Sequence, residues 1–194
     1  MEFPILETER LFLKKVEESD AEQFFDILSR DEVTIYYGMD SLVHPEEAVE
    51  MIRAFHTRFT MKHGMRWAIH FKETNEFIGT IGLNNLNLYS KKAEIGYELH
   101  PDYWRRQLMQ EAIRSVLSYA FAELGLYRIG AVTFPENSSS NRLLEKLGFT
   151  LEGRLRGYLY QRKQSHDAFI FSLLSTEWLN GQRTADNFKE EGEA

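Results

Sequence analysis

The sequence contains no cysteine. Disulfides, thiolate metal sites and a cysteine nucleophile are thereby excluded. Proline is scarce, at 4 residues in 194, and glycine stands at 12. With 13% aromatic residues, this composition excludes a mainly disordered chain. No stretch approaches the roughly 18 apolar residues that a membrane span needs. The opening segment Met1–Leu13 lacks the basic and then apolar pattern of a secretory signal. Basic residues are outnumbered, 23 against 30, giving a formal net charge of −7. That balance argues against a general nucleic-acid face, while leaving room for a local basic pocket. The chain therefore reads as a soluble cytoplasmic protein with neither nucleic acid nor membrane as partner. Its length fits one domain, taken as residues 1–179, followed by a polar tail, 180–194.

What is present is a succession of strand and helix signals. Glu9–Val16 reads as a strand. Ser19, with Glu22 three residues on, predicts a capping box for a helix whose apolar stripe is Phe24, Phe25 and Leu28. Pro45 opens a second helix carrying Val49, Ile52, Phe55 and Phe59, which runs to about His63 and stops at Gly64. Arg66–Lys72, Phe77–Leu86 and Lys91–His100 alternate as an antiparallel meander. In the third of these, Ala93, Ile95, Tyr97 and Leu99 face one way and Glu94, Gly96 and Glu98 the other. A helix then spans Gln110–Leu124, a strand Arg128–Phe134, a short helix Asn141–Leu147, and two final strands Thr150–Tyr160 and Ala168–Leu174. Gly125 and Gly148 mark the helix ends. The fold class is α/β with a mixed sheet.

Two segments carry chemistry. Tyr103–Ala112 delivers Arg105 and Arg106 to a helix N-terminus. Unpaired N–H groups and partial positive charge there suit phosphate oxygens, and arginine strengthens pyrophosphate binding. The plain alternative is a solvated loop face. The second segment, Asn137–Phe149, is an Asn/Ser-rich turn capping a short helix, followed by Glu152-Gly153.

Taken together, the pieces resemble the GCN5-related N-acetyltransferase (GNAT) superfamily, and within it the ribosomal-protein N-acetyltransferase branch. The resemblance rests on Glu7-Thr8-Glu9-Arg10-Leu11, Ala93-Glu94-Ile95-Gly96-Tyr97, Tyr103-Trp104, Glu111-Ala112, Asn137, Ser140, Glu145-Lys146, Gly148-Phe149, Glu152-Gly153, His166-Asp167, Ser172-Leu173-Leu174 and Glu177-Trp178, in that order. It implies a mixed, mostly antiparallel sheet flanked by helices, with two parallel central strands, Glu94–His100 and Arg128–Phe134, splayed apart. It also implies acetyl-CoA as cosubstrate and no metal. Pantetheine would pair with the backbone around Glu98, Leu99 and His100. Pyrophosphate would sit on Arg105, Arg106, Gln107, Leu108, Met109 and Gln110. Asn137, Ser140 and Arg142 would complete the cosubstrate site. The chain departs from the superfamily loop at Trp104, Gln107 and Met109. Gln107 replaces a glycine whose absent side chain lets the backbone approach phosphate.

The implied reaction is direct attack of an amine on the thioester. Glu98 is the candidate base, with Glu94, His70 and His100 behind it. A backbone N–H near Leu99 would serve the oxyanion. The tyrosine that many members carry four residues before the Gly-Phe pair is Leu144 here, so Ser140 is the candidate donor to the leaving sulfur. Tyr36, Tyr37, Phe55, Phe59, Tyr158 and Tyr160, with the loop Gly38–His44 and the hairpin Gly157–His166, are candidates for lining an acceptor slot. A protein N-terminus would need an open groove, and a small amine a closed acidic pocket. Gln107 and Leu144 together motivate a third reading, a non-catalytic binding module. The dimers frequent in this branch imply a homodimer.

Overall fold

A computed structural model describes residues 2–180. The strands and α-helices run in the order β1 (Leu6–Glu7), β2 (Leu11–Lys15), α1 (Ala21–Leu28), α2 (Asp31–Thr34), α3 (Pro45–Thr60), β3 (Met65–Phe71), β4 (Glu76–Asn87), β5 (Lys92–Leu99), α4 (Leu108–Ala122), β6 (Arg128–Thr133), α5 (Ser138–Lys146), β7 (Thr150–Gln161) and β8 (Gln164–Leu174). Residues 175–180 are again helical. Among the described residues, no helix is long and apolar enough to cross a membrane. The tail expected from residue 180 lies, from 181 on, outside the described residues.

The eight strands form one sheet in the order β1-β2-β3-β4-β5-β6-β8-β7. Every neighbouring pair is antiparallel except β5 and β6. Apolar clusters on the two faces bind the helices to the sheet. On one face, α4 places Leu108, Ala112, Ile113, Val116 and Leu117 against Trp67, Ile81, Ile95 and Ile129. On the other, Phe24, Ile27 and Leu28 of α1 meet Ile52 and Phe55 of α3 over Ala68 and Phe77. Each fully buried aliphatic side chain contributes roughly 1.5–3 kcal/mol, so the two helix layers are what fix the sheet.

Several boundaries differ from the sequence reading, each for a local reason. Ser19 does not cap α1. It sits in a 3-10 turn, Glu18–Asp20, where Asp20 Oδ2 accepts the Glu17 N–H at 2.9 Å. Helix α3 ends at Thr60, because Lys62 turns the chain with a φ of 59°. The four-residue α2 has no apolar period long enough to signal it. Strand β8 begins at Gln164 rather than Ala168, since Arg162 and Lys163 form a two-residue hairpin turn with φ of 52° and 60°. Gly125 (φ 62°) and Gly148 (φ 92°) end α4 and α5 as expected.

Strands β3 and β4 approach closely at Gly82, which pairs with Arg66. A Cβ there would lie 2.4 Å from the Met65 carbonyl oxygen and 2.9 Å from Arg66 Nε. Overpacking of this kind costs about 1–3 kcal/mol. Gly82→Ala is therefore expected to lower the thermal midpoint by several degrees. An unchanged midpoint in a calorimetric scan would contradict that close approach.

Candidate active site

The parallel pairing of β5 with β6 is short. It covers Lys92↔Arg128, Ala93↔Ile129 and Glu94↔Gly130, and goes no further. Beyond those residues β5 stays with β4 to Gly79↔Leu99, while β6 stays with β8 to Thr133↔Phe169. The strands thus open into a cleft in the middle of the sheet. The His100 N–H donates to the Ile78 carbonyl on β4 at 2.8 Å. Alternation along the strand then turns the Leu99 N–H toward the cleft. The Leu99 carbonyl accepts the Trp104 indole N–H at 2.7 Å, which docks the following loop onto the strand.

That loop delivers the cationic segment to α4. Arg105, Arg106 and Gln107 are exposed, whereas Leu108 and Met109 are buried and Gln110 half-buried. Arg105 and Gln107 both adopt left-handed backbone, with φ of 62° and 61°. A non-glycine residue pays roughly 1–2 kcal/mol for this conformation. The loop therefore keeps the glycine geometry despite the glutamine. The Gln107 side chain makes no cap bond to α4.

Across the cleft, Asn137 caps α5, accepting the Ser140 backbone N–H on Oδ1 at 3.2 Å. The turn before it is held by buried Asn141, which accepts from Thr133 Oγ1 at 2.6 Å and donates to the Phe134 and Pro135 carbonyls. Arg142 is exposed on the same helix. The Ser140 hydroxyl lies 2.7 Å from the Tyr97 hydroxyl. Tyr97 comes from β5, so this contact bridges the opening. Burial pushes its phenol up to about 12, and the bond to Ser140 offsets only part of that. Leu144 is fully buried in the core. The phenol on this side of the cleft comes from β5, through Tyr97, and not from that helix position. Alternation puts Tyr97 on one face of the strand with Ala93, Ile95 and Leu99. Nothing in the sequence indicated its hydroxyl partner 43 positions away.

Glu98 points to the opposite face of the sheet and is 5% exposed. Its carboxylate accepts from the Tyr37 hydroxyl at 2.8 Å, from Arg66 Nη1 at 3.5 Å and from Thr80 Oγ1. Arg66 also donates to the Gly96 carbonyl at 3.1 Å and lies over the Phe55 ring at 5.0 Å. Burial, then the neighbouring Glu98 charge, drives the Tyr37 phenol far above its ordinary range. Glu98 is therefore the centre of a closed network whose outermost member is Tyr37. The alternative bases lie elsewhere. His70 packs edge-on to Phe77 at 5.8 Å. His100 stands 3.2 Å from Asp26 on α1. Glu94 accepts from the Asn85 amide at 3.0 Å.

Of the aromatic candidates for an acceptor slot, Phe55 and Phe59 pack inward, against Phe24 at 6.0 Å and Phe3 at 4.9 Å. Tyr158 and Tyr160 are exposed on β7. Tyr36 packs at a tilt against Phe134, just past β6, at 5.8 Å, and both border a half-open cavity of about 360 Å³. Ile35, Glu136, Gln161, Arg162, Gln164 and His166 complete its wall. Gln161 ties α2 to the hairpin, donating to the Thr34 and Met39 carbonyls at 2.7 Å and accepting the Gly38 N–H at 3.1 Å.

Comparison with known proteins agrees with this geometry. Residues 10–150 match the family described as Acetyltransferase (GNAT) domain. The chain is 47% identical over 172 residues to a Bacillus subtilis (strain 168) protein named Uncharacterized N-acetyltransferase YoaA, covering 89% of this chain and 97% of that one. Its fold is similar to that of a GNAT-family acetyltransferase from Bacillus anthracis, with a TM-score of 0.79 and 25% identity over 90% of this chain and 100% of the other. It is also similar in fold to spermidine N-acetyltransferase from Vibrio cholerae, solved with CoA and spermine, with a TM-score of 0.79 and 20% identity over 89% and 99% of the two chains.

The left-handed Gln107 yields a direct prediction. Gln107→Gly removes the backbone strain, and part of the gain is lost to the freer unfolded chain. The net stabilisation is expected to be about 0.5–1 kcal/mol, with anion affinity at the loop equal or higher. Lower stability in urea denaturation would show that the glutamine side chain contributes contacts that outweigh the strain.

Proposed function

The chain belongs to the GNAT family of acetyl-CoA-dependent N-acetyltransferases, and we propose that the amine it acetylates is the N-terminus of a protein. The observation that carries this reading is the shape and charge of the cavity beside the open end of β6. It is half-open, and its wall holds both an acidic residue, Glu136, and a basic one, Arg162. A polyamine would call for a closed pocket with several carboxylates, whereas an extended peptide end needs an open, mixed wall. Aromatic Tyr36 and Phe134 suit an ammonium approaching the cleft.

Each step has a candidate group. The cosubstrate supplies the acetyl thioester. Its pantetheine arm lies along β5, in the gap left by β6, and its pyrophosphate meets Arg105, Arg106 and the backbone of Gln107 through Gln110. Asn137 and Arg142 border the same ligand. The Leu99 N–H donates to the carbonyl oxygen as negative charge develops there. The incoming ammonium loses a proton to the Tyr37 oxygen while the Tyr37 proton passes to Glu98, which keeps Glu98 as the ultimate base without direct access to the amine. The freed amine nitrogen bonds to the acetyl carbon as the C–S bond breaks. Ser140, its oxygen held by Tyr97, donates a hydrogen bond to the departing sulfur. The second proton lost by the new amide nitrogen goes to that sulfur, so that CoA leaves as the thiol. The protein works as a cytoplasmic enzyme and is open to pairing with a second copy.

The test is acetyl transfer from acetyl-CoA to a peptide with a free N-terminal amine, measured beside spermidine. The peptide is the expected acceptor. Glu98→Gln and Tyr37→Phe should each slow transfer by about a hundred-fold at neutral pH, with little change in acetyl-CoA affinity. The double variant should lose no more than either single one. Faster turnover of spermidine overturns the acceptor, an unchanged pH–rate profile in Glu98→Gln removes the relay, and no transfer to any amine favours a non-catalytic binding module.

A further inference from the structure

The N-terminal segment reaches the loop before α4 through a contact that the reaction scheme leaves unused. Glu111 lies in the first turn of α4, its own N–H bonded to the Gln107 carbonyl at 3.1 Å. Its Oε1 accepts from Thr8 Oγ1 at 2.5 Å and from the Arg10 backbone N–H at 2.8 Å. Its Oε2 accepts from Arg10 Nε at 2.8 Å and Nη2 at 2.7 Å. The remaining arm of the guanidinium, Nη1, donates to the Arg106 carbonyl at 3.1 Å. Thr8 is itself fixed by the β1–β2 turn, where its hydroxyl accepts the Leu11 N–H at 3.0 Å. One planar fork thus joins a helix carboxylate to a loop carbonyl, which a point charge on a flexible stem cannot do.

The consequence is geometric. In a trans peptide the N–H points opposite to the C=O. With the Arg106 carbonyl drawn toward Arg10, the Gln107 N–H is turned the other way, and Arg106 is flanked by two left-handed residues, Arg105 and Gln107. Left-handed turns of this kind present successive N–H groups to an anion. The Arg10 side chain is 40% exposed, and an ion pair so placed contributes little to folding. Its effect falls on the loop.

We propose that Arg10, held by Glu111 and Thr8, is a positioning residue for the cosubstrate: it sets the Arg106–Gln107 peptide so that its N–H faces the pyrophosphate. The inference rests on the acetyl-CoA reading of this loop. It assigns a role to the Thr8-Glu9-Arg10 segment, which otherwise reads only as the turn joining β1 to β2.

The test compares two ligands that share the pantetheine arm and differ in the pyrophosphate. CoA is titrated calorimetrically, and pantetheine by NMR, into the unmodified protein and into Arg10→Met and Arg10→Lys. Loss of a charge-assisted bond and of the peptide it orients should weaken CoA about ten-fold or more in both variants, while pantetheine affinity stays the same. Arg10→Lys keeps the charge and the stem, so it carries the test if Arg10→Met does not fold. Equal weakening of both ligands, or CoA affinity retained in Arg10→Lys, overturns the inference. Failure of CoA to bind the unmodified protein overturns the acetyl-CoA reading instead.

Discussion

The structure turns on two parallel strands that part company. After Glu94 and Gly130, β5 and β6 stop pairing, although both continue inside the same sheet. Backbone donors and acceptors left without partners inside a protein are costly, and a sheet interior is the least favourable place for them. The cost is tolerated because every other edge of the two strands is secured. Strand β5 keeps its full pairing with β4, and β6 keeps its pairing with β8. Helix α4 is packed beneath the opening, and α5 is capped at its far side. What results is an extended slot with backbone groups on one wall.

The side chains around the slot are divided between the faces of the sheet by simple alternation. Tyr97 and Glu98 are adjacent on β5 and therefore point to opposite sides. On one side, the Tyr97 hydroxyl meets the Ser140 hydroxyl across the opening. On the other, Glu98 joins Arg66, Thr80 and Tyr37 in a buried network. The strand itself thereby keeps the hydroxyl pair and the carboxylate network apart. The buried network also explains how a carboxylate is held under α3 at 5% exposure. Arg66 supplies the counter-charge, and Gly82 and Gly96 leave room for its guanidinium along the sheet.

Local periodicity made the architecture legible. Alternation placed β3 to β5, apolar spacing with Gly125 placed α4, and Gly148 marked the end of α5. The glutamine at 107 was legible too, because an anion-binding loop that lacks its glycine must either change shape or bear the left-handed conformation; it does the latter. Contacts between distant positions were not legible. Tyr37 and Glu98 are 61 residues apart, and Arg10 and Glu111 are 101 apart. No local pattern reports such pairings. Short or irregular pieces were missed for a related reason: α2 has four residues, and the Arg162-Lys163 turn lacks the Asn-Gly signature of its class.

The central claim is that the cosubstrate fills the gap as an added strand. Amide hydrogen exchange reports this directly, because a backbone N–H that gains a partner slows its exchange. Exchange is followed by mass spectrometry in peptides covering β5 and β6, with and without saturating acetyl-CoA. Added protection concentrated at residues 95–99, together with the 105–110 loop, is the predicted result. Protection confined to the loop, or absent from both, would contradict an account in which the parted strands exist to hold the ligand.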